Sequence, residues 1–307
     1  MAEPQPPFSG TITLDMVARR AEAADLGDAP PAMRRGFADL ILGEGRPADC
    51  SAGGEMHDGD VDLGGVPAVR HGGGRGCSPA AILYFHGGGY VLGSPETHSR
   101  LAVALAAAAG MPVYVLRYRL APEHRWPAQP DDAVAAARAL RDAGAERLAL
   151  AGDSAGGHLA LAAALRLARD GRAPEALALM SPNTDRTGLN EVREANAERD
   201  PMVDPAFDER LAGLAFSEEW SGDHPDVSPA LAELGSLPPT YIEVGDREVL
   251  LGDSFALYSQ AVRAGVDVGL HVAPGVFHMW QAWAPWLPEA SESLQRVGAF
   301  LRKRLGV

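Results

Sequence analysis

From residue 80 onward, short uniformly apolar runs alternate with longer runs of helical period, and this alternation leaves the chain few folds to choose from. The runs at 80–85 (AAILYF), 111–118 (MPVYVLRY), 147–152 (RLALAG), 176–182 (ALALMSP), 239–245 (PTYIEVG) and 266–273 (VDVGLHVA) predict strands. The stretches 96–109, 131–144, 157–170, 251–265 and 291–305 predict helices between them. A strand with no polar face must be covered on both sides, and strands joined through helices run parallel. The expectation is an α/β fold: a mostly parallel central sheet with helices on both faces. At 46% apolar residues over 307 positions, the chain can bury a core of that size.

Two regions depart from the alternation. Residues 1 to about 75 look peripheral, with a helix after Thr13, another within PPAMRRGFADLILGEG, and then Gly- and Asp-rich text that suggests loops and weak edge strands. The segment 185–236 is charged, holds Pro201, Pro205, Pro225 and Pro229, and carries the aromatics Phe207, Phe216 and Trp220. It reads as a helical cap. The expected organisation is one domain over 1–307, with the cap built from about 1–45 and 185–236.

Several function classes fall away on composition. With 27 basic and 41 acidic residues the formal charge is −14, so neither a nucleic-acid groove nor adhesion to an anionic membrane is expected. The longest apolar run, 101–116, is broken by Gly110-Met111-Pro112, which argues against a membrane span. No signal peptide is visible. Cys50 and Cys77 lie in no ligand spacing and read as free thiols of a cytoplasmic chain. No metal-ligand spacing, Walker pattern or dinucleotide glycine pattern occurs, so no cofactor is expected.

Two glycine-rich stretches carry the chemistry. Gly152-Asp153-Ser154-Ala155-Gly156-Gly157 lies where a strand ends and a helix begins. A serine lifted above a sheet on so sharp a turn needs neighbours without a Cβ two positions to either side. The helix that starts behind it points unpaired N–H groups at the same spot. The second stretch, His86-Gly87-Gly88-Gly89, follows the 80–85 strand, and its glycines let backbone N–H groups approach an oxygen closely. His86 itself reads as structural.

HGGGY at 86–90, YRLAPEHRWPA at 118–128 and GDSAGG at 152–157 together resemble the bacterial hormone-sensitive-lipase family of α/β-hydrolase esterases, in family order, over roughly residues 80–305. The resemblance implies an α/β-hydrolase sheet with a cap and hydrolysis of carboxylic esters. It implies Ser154 as nucleophile, with Gly87, Gly88, Gly89 and Ala155 supplying the oxyanion hole. A serine needs an imidazole beside it, and in α/β hydrolases an acid and then a histidine follow it in the chain. His278, in APGVFHMWQ, resembles the family's catalytic histidine; His271, inside a strand pattern, and His224, in the cap segment, are the alternatives. The family usually shows Asp-Pro-Leu after the preceding strand, whereas this chain reads EVGDREVLLGDS. Matching the two puts Glu248 in the aspartate's place. Asp246 and Asp253 remain open, the first also readable as a strand terminator and the second as a helix cap.

Tyr90, Phe207, Phe216 and Trp220 are expected to contact substrate. Glu123, His124 and Arg125 are expected to tie their loop near the glycine tetrad, and Asp153 to make hydrogen bonds around the nucleophile. Trp280, Trp283 and Trp286 either pack on the C-terminal helix or line the pocket. The expected activity is cleavage of small, fairly apolar acyl esters, the partner a small-molecule ester, with a homodimer possible. A lactone hydrolase, a deacetylase of a secondary metabolite, and a non-catalytic binding protein on the same scaffold are the competing expectations.

Overall fold

A computed structural model describes residues 11–43, 57–72 and 78–307. Cys50, Cys77 and both ends of the expected N-terminal cap segment lie outside the described residues. Among the described residues eight strands form one sheet: β1 (His57–Asp62), β2 (Pro67–His71), β3 (Ala80–Phe85), β4 (Val113–Leu116), β5 (Arg147–Asp153), β6 (Ala176–Met180), β7 (Thr240–Gly245) and β8 (Val268–Ala273). Their order is β1-β2-β4-β3-β5-β6-β7-β8. β2 runs antiparallel to both β1 and β4, and all other neighbours are parallel. The Gly- and Asp-rich text before residue 80 thus forms the antiparallel margin, while every residue of β3 and β6 is buried, as a central strand without a polar face requires.

The helices are α1 (Leu14–Glu22), α2 (Pro30–Leu42), α3 (Ser99–Ala109), α4 (Ala128–Asp142), α5 (Ala155–Arg169), α6 (Val192–Ala195), α7 (Pro205–Ala215), α8 (Leu251–Arg263) and α9 (Pro288–Leu305). α3 starts three residues later than the pattern suggests. Ser94 and Thr97 turn the chain first, each side chain accepting from the other's backbone N–H. α9 starts three residues earlier, with Pro288 in its first turn, where a missing N–H costs nothing. α5 is buried along twelve of its fifteen residues and forms the spine beneath the sheet's centre.

The segment 185–236 interrupts this order with α6, α7 and a 3-10 turn at Pro229–Leu231. Asp204 caps α7 by accepting from Phe207 N at 2.8 Å, and Pro205 opens the helix. Trp280 and Trp283 are completely buried in a 3-10 turn packed on α3 and α9. Trp286 lies beneath the Arg100 guanidinium, 4.4 Å from its ring centre.

Candidate active site

Ser154 sits between β5 and α5 at φ 56°, ψ −124°, a backbone conformation that side chains rarely adopt. Its N–H donates to Met180 O at 2.9 Å, which anchors the turn to β6. A Cβ on Gly156 would overlap the Phe85 and His86 carbonyl oxygens, and one on Gly152 would overlap Gly156 O. Only glycine lets the turn lie this close to β3, and the outcome is a hydroxyl standing clear of the sheet.

Glu248 follows β7 and His278 follows β8, so the parallel sheet delivers both to the end of β5 that carries Ser154. His278 Nε2 lies 2.9 Å from Ser154 Oγ, and His278 Nδ1 lies 2.9 Å from Glu248 Oε2. The other oxygen, Oε1, accepts from Gly245 N at 2.6 Å and from Ser181 Oγ at 2.7 Å. All three side chains belong to buried residues. Burial alone would lower the His278 imidazole. The hydrogen bond and charge of Glu248, with the charges of Asp200 and Asp153, more than offset it, so its pKa stands above 6.5. The arrangement can pass a proton from serine to imidazole and hold the resulting cation.

The other candidates stand elsewhere. Asp246 Oδ1 accepts from Gly275 N at 2.7 Å and ties the β7 end to the turn after β8. His271 lies on β8, paired with Glu243, and His224 accepts from Asp226 N beneath the Trp220 ring. Asp253 does not cap α8. It is fully buried and accepts from Thr184 N, Asp185 N, Asn190 and Arg193, because charge partners in the cap segment outweigh the helix end next to it.

The glycine tetrad is held from below. Asp153 Oδ1 accepts from Tyr84 Oη at 2.6 Å and from Gly87 N at 3.1 Å. The Gly87 N–H is therefore engaged, which corrects its expected place among the oxyanion donors. Gly88 (φ 117°) and Gly89 (φ 61°) take conformations suited to glycine, and Ala155, first in α5, has an N–H without an intrahelical acceptor. Burial would raise Asp153, but the His98 charge and hydrogen bond, with the Tyr84 bond, bring its pKa below the ordinary value. His86 stacks on Tyr118 at 4.3 Å, and burial brings its pKa down to about 3, so it remains neutral in the core.

A family model described as the α/β hydrolase fold matches residues 82–282. The chain belongs to the α/β-hydrolase fold family. The hydrolase is 41% identical over 229 residues to an acetyl-hydrolase of Streptomyces hygroscopicus, a match covering 73% of this chain and 76% of that one. It is 38% identical over 244 residues to the carboxylesterase/phospholipase LipF of Mycobacterium tuberculosis, covering 77% of this chain and 65% of LipF. A crystal structure of an esterase from the bacterial hormone-sensitive lipase family superposes with a TM-score of 0.88 at 38% identity, over 95% of this chain and 98% of that one. The hydrolase is thus a member of the bacterial hormone-sensitive-lipase group.

Above Ser154 and His278 the hydrolase has a narrow, mostly apolar cavity walled by Phe37 and Leu40 of α2, Met202, Phe207 and Leu211 of the 185–236 segment, and Leu250. Its volume is small, about 30 Å³. Phe207 thus stands where substrate contact was expected. Tyr90, Phe216 and Trp220 do not line this cavity. They pack with Trp126 and His158 into an aromatic cluster, in which Tyr90 Oη bonds His158 Nδ1 and Trp126 stacks on His158 at 5.1 Å. Big rings gain more from mutual burial there than from an open wall. In the 118–128 stretch, Glu123 receives Arg34 of α2, which also donates to Val91 O and Ala121 O, so this loop fastens α2 beside the tetrad.

Two residues of the hydrolase went unread in the sequence. Ser181, at φ 48°, donates to Glu248. Asp200, from the cap segment, accepts from Val249 N at 3.2 Å and from His278 N at 3.4 Å, touching the backbone of both loops that carry Glu248 and His278. Burial pushes its pKa up to about 6 against the pull of His278. Among the described residues no group of His, Cys, Asp and Glu is arranged to hold a metal, and no helix is long and apolar enough to cross a membrane.

Proposed function

We propose that this chain is a serine carboxylesterase acting on carboxylic esters of small, fairly apolar acyl groups. The hydrogen-bonded sequence Ser154–His278–Glu248 at the floor of an apolar cavity carries the reading. Ser154 Oγ attacks the ester carbonyl while His278 Nε2 takes its proton. Glu248 keeps the Nδ1 proton pointed at itself and stabilises the imidazolium. The N–H groups of Gly88, Gly89 and Ala155 receive the oxyanion, where a single such donor contributes about 3 kcal/mol. His278 then protonates the departing alcohol, and water repeats the cycle on the acyl-enzyme.

The small space above Ser154 supports short acyl groups, as do the names of the relatives, an acetyl-hydrolase and a carboxylesterase. The acetyl-hydrolase likeness also favours a second reading, deacetylation of a larger alcohol, which uses the same residues on a different leaving group. The chain acts as one domain whose cap comes from both the N-terminal helices and 185–236. Its net negative charge and paucity of cysteine support work in the cytoplasm on a small molecule.

A fluorophosphonate probe and a panel of p-nitrophenyl esters test the reading. Ser154 should be labelled, and Ser154→Ala should abolish both labelling and turnover with its melting temperature unchanged. Labelling of a different serine, or undiminished turnover by Ser154→Ala, would overturn it.

A further inference from the structure

Asp253 has no part in the chain of hydrogen bonds at Ser154, yet it is completely buried at the start of α8. Thr184 N and Asp185 N each donate to its Oδ2 at 2.8 Å, and Asn190 Nδ2 donates to Oδ1 at 2.7 Å. Arg193 of α6 grips both oxygens, Nη2 at 2.7 Å and Nε at 3.2 Å. Its remaining nitrogen, Nη1, donates to Asp208 Oδ2 on α7 at 2.7 Å. Asp208 also receives Arg186 at 3.0 and 3.2 Å and Asn183 Nδ2 at 2.9 Å. Two carboxylates and two guanidiniums thus lie together, with no side chain more than 14% exposed.

Both ends of this network reach the site. The Asn183 backbone N–H donates to Ser154 O at 3.2 Å, and Asn183 Oδ1 accepts from Arg193 Nη2 at 2.9 Å. On α7, Asp208 stands between Phe207 and Leu211, and all three line the cavity over Ser154. Leu211 presses on the glycine tetrad, since a Cβ on Gly89 would come within 2.5 Å of its Cδ1. The position of α7 is therefore the height of the cavity roof.

Apolar packing tolerates small slips, because one hydrophobic contact replaces another at low cost. A buried ion pair does not, since a slip leaves a charge without its partner. Forked guanidinium–carboxylate contacts are directional as well as strong. Such a set adds little net stability but holds one register firmly.

We propose that Asp253, Arg193 and Asp208 form a latch that sets the acyl-chain selectivity of this site, by fixing Phe207 and Leu211 at one height above Ser154. The proposal rests on the esterase reading above. The three act through α7 and not on the reacting atoms, so they are positioning residues.

The double variant Arg193→Met/Asp253→Asn removes one cation and one anion and leaves the Arg186–Asp208 pair intact. Its kcat/KM for p-nitrophenyl acetate should stay within about threefold of the parent, while the octanoate-to-acetate ratio rises about tenfold or more. The acid limb of its pH profile should not move, because Glu248 and His278 are untouched. Arg193→Lys keeps the charge but loses the fork, and should raise the same ratio about threefold; it serves if the double variant does not fold. Ser154 labelling by ethyl and octyl fluorophosphonates, followed by mass spectrometry, should show the same shift without turnover. An unchanged ratio in a folded variant, or an equal loss on every ester, overturns the latch. If the parent turns over no ester, the esterase reading falls, and the labelling ratios alone decide the latch. No labelling of Ser154 by either probe overturns both.

Discussion

Glu248 holds three partners at once: two donors on one oxygen and the imidazole on the other. Replacing it by glutamine would put an amide in that place and favour the wrong histidine tautomer. Glu248→Gln should lower kcat on the order of 10⁴-fold by analogy with other serine triads, measured at saturating short-chain ester. Asp246→Asn, which loosens only a turn, should stay within a few-fold of the parent. The base must be neutral to act, so activity is lost as pH falls through the His278 pKa. That pKa is raised, so the acid limb of kcat/KM should have its midpoint above pH 6.5 and fall in Glu248→Gln. At this scale legibility follows from how far a residue's requirement extends along the chain. Ser154 writes its steric needs into the glycines on either side, and His278 has the spacing of a loop after a strand. Ser181 and Asp200 leave no such trace, because each acts on residues far away in sequence through one hydrogen bond or a backbone N–H. Tyr90, Phe216 and Trp220 pack together outside the lining of the cavity, and a ring that packs and a ring that binds look alike in one dimension.

Elements were more legible than their ends. The uniform burial of β3 and β6 is visible in the sequence as an absence of polar residues, and α5 shows the same in its alanines and leucines. The ends depend on side-chain detail. The Ser94–Thr97 turn delays α3, and Pro288 advances α9. The segment 185–236 is legible as a helical cap but its helices are not, since α6 is four residues long and buries none of them, and α6 and α7 are tied together by buried charges that leave no periodic trace. The turn from β5 into α5 leaves no room for adjustment, because the Phe85 and His86 carbonyls close on Gly156. Both are backbone atoms and cannot swing away. Gly156→Ala should therefore lower the melting temperature steeply or prevent soluble folding, with a loss of several kcal/mol, as overpacking against backbone commonly costs. A normal melt would show that the strand and helix can separate.

Across the whole molecule, one cavity is walled by two stretches of chain far apart in sequence: α2 supplies Phe37 and Leu40, and α7 supplies Phe207 and Leu211. Side chains that share a cavity do not act independently. Phe37→Ala and Phe207→Ala should each admit longer acyl chains, and the double variant should depart from additivity by about 1 kcal/mol in the octanoate-to-acetate ratio. Simple additivity would mean that the two walls bound separate spaces. The N-terminal helices are bound to the far end of the chain as well, for Ile12 N donates to Trp286 O at 3.0 Å and Arg34 is fastened to the loop around Glu123. Ribosomes make proteins from the amino end. Ile12, Phe37 and Leu40 are thus synthesised long before Trp286 and α7, the parts of the chain that meet them, exist. Until those later stretches have emerged, the apolar side chains of α2 that wall the cavity stand open to chaperones and to other nascent chains, and they take their final places only after residues made well behind them.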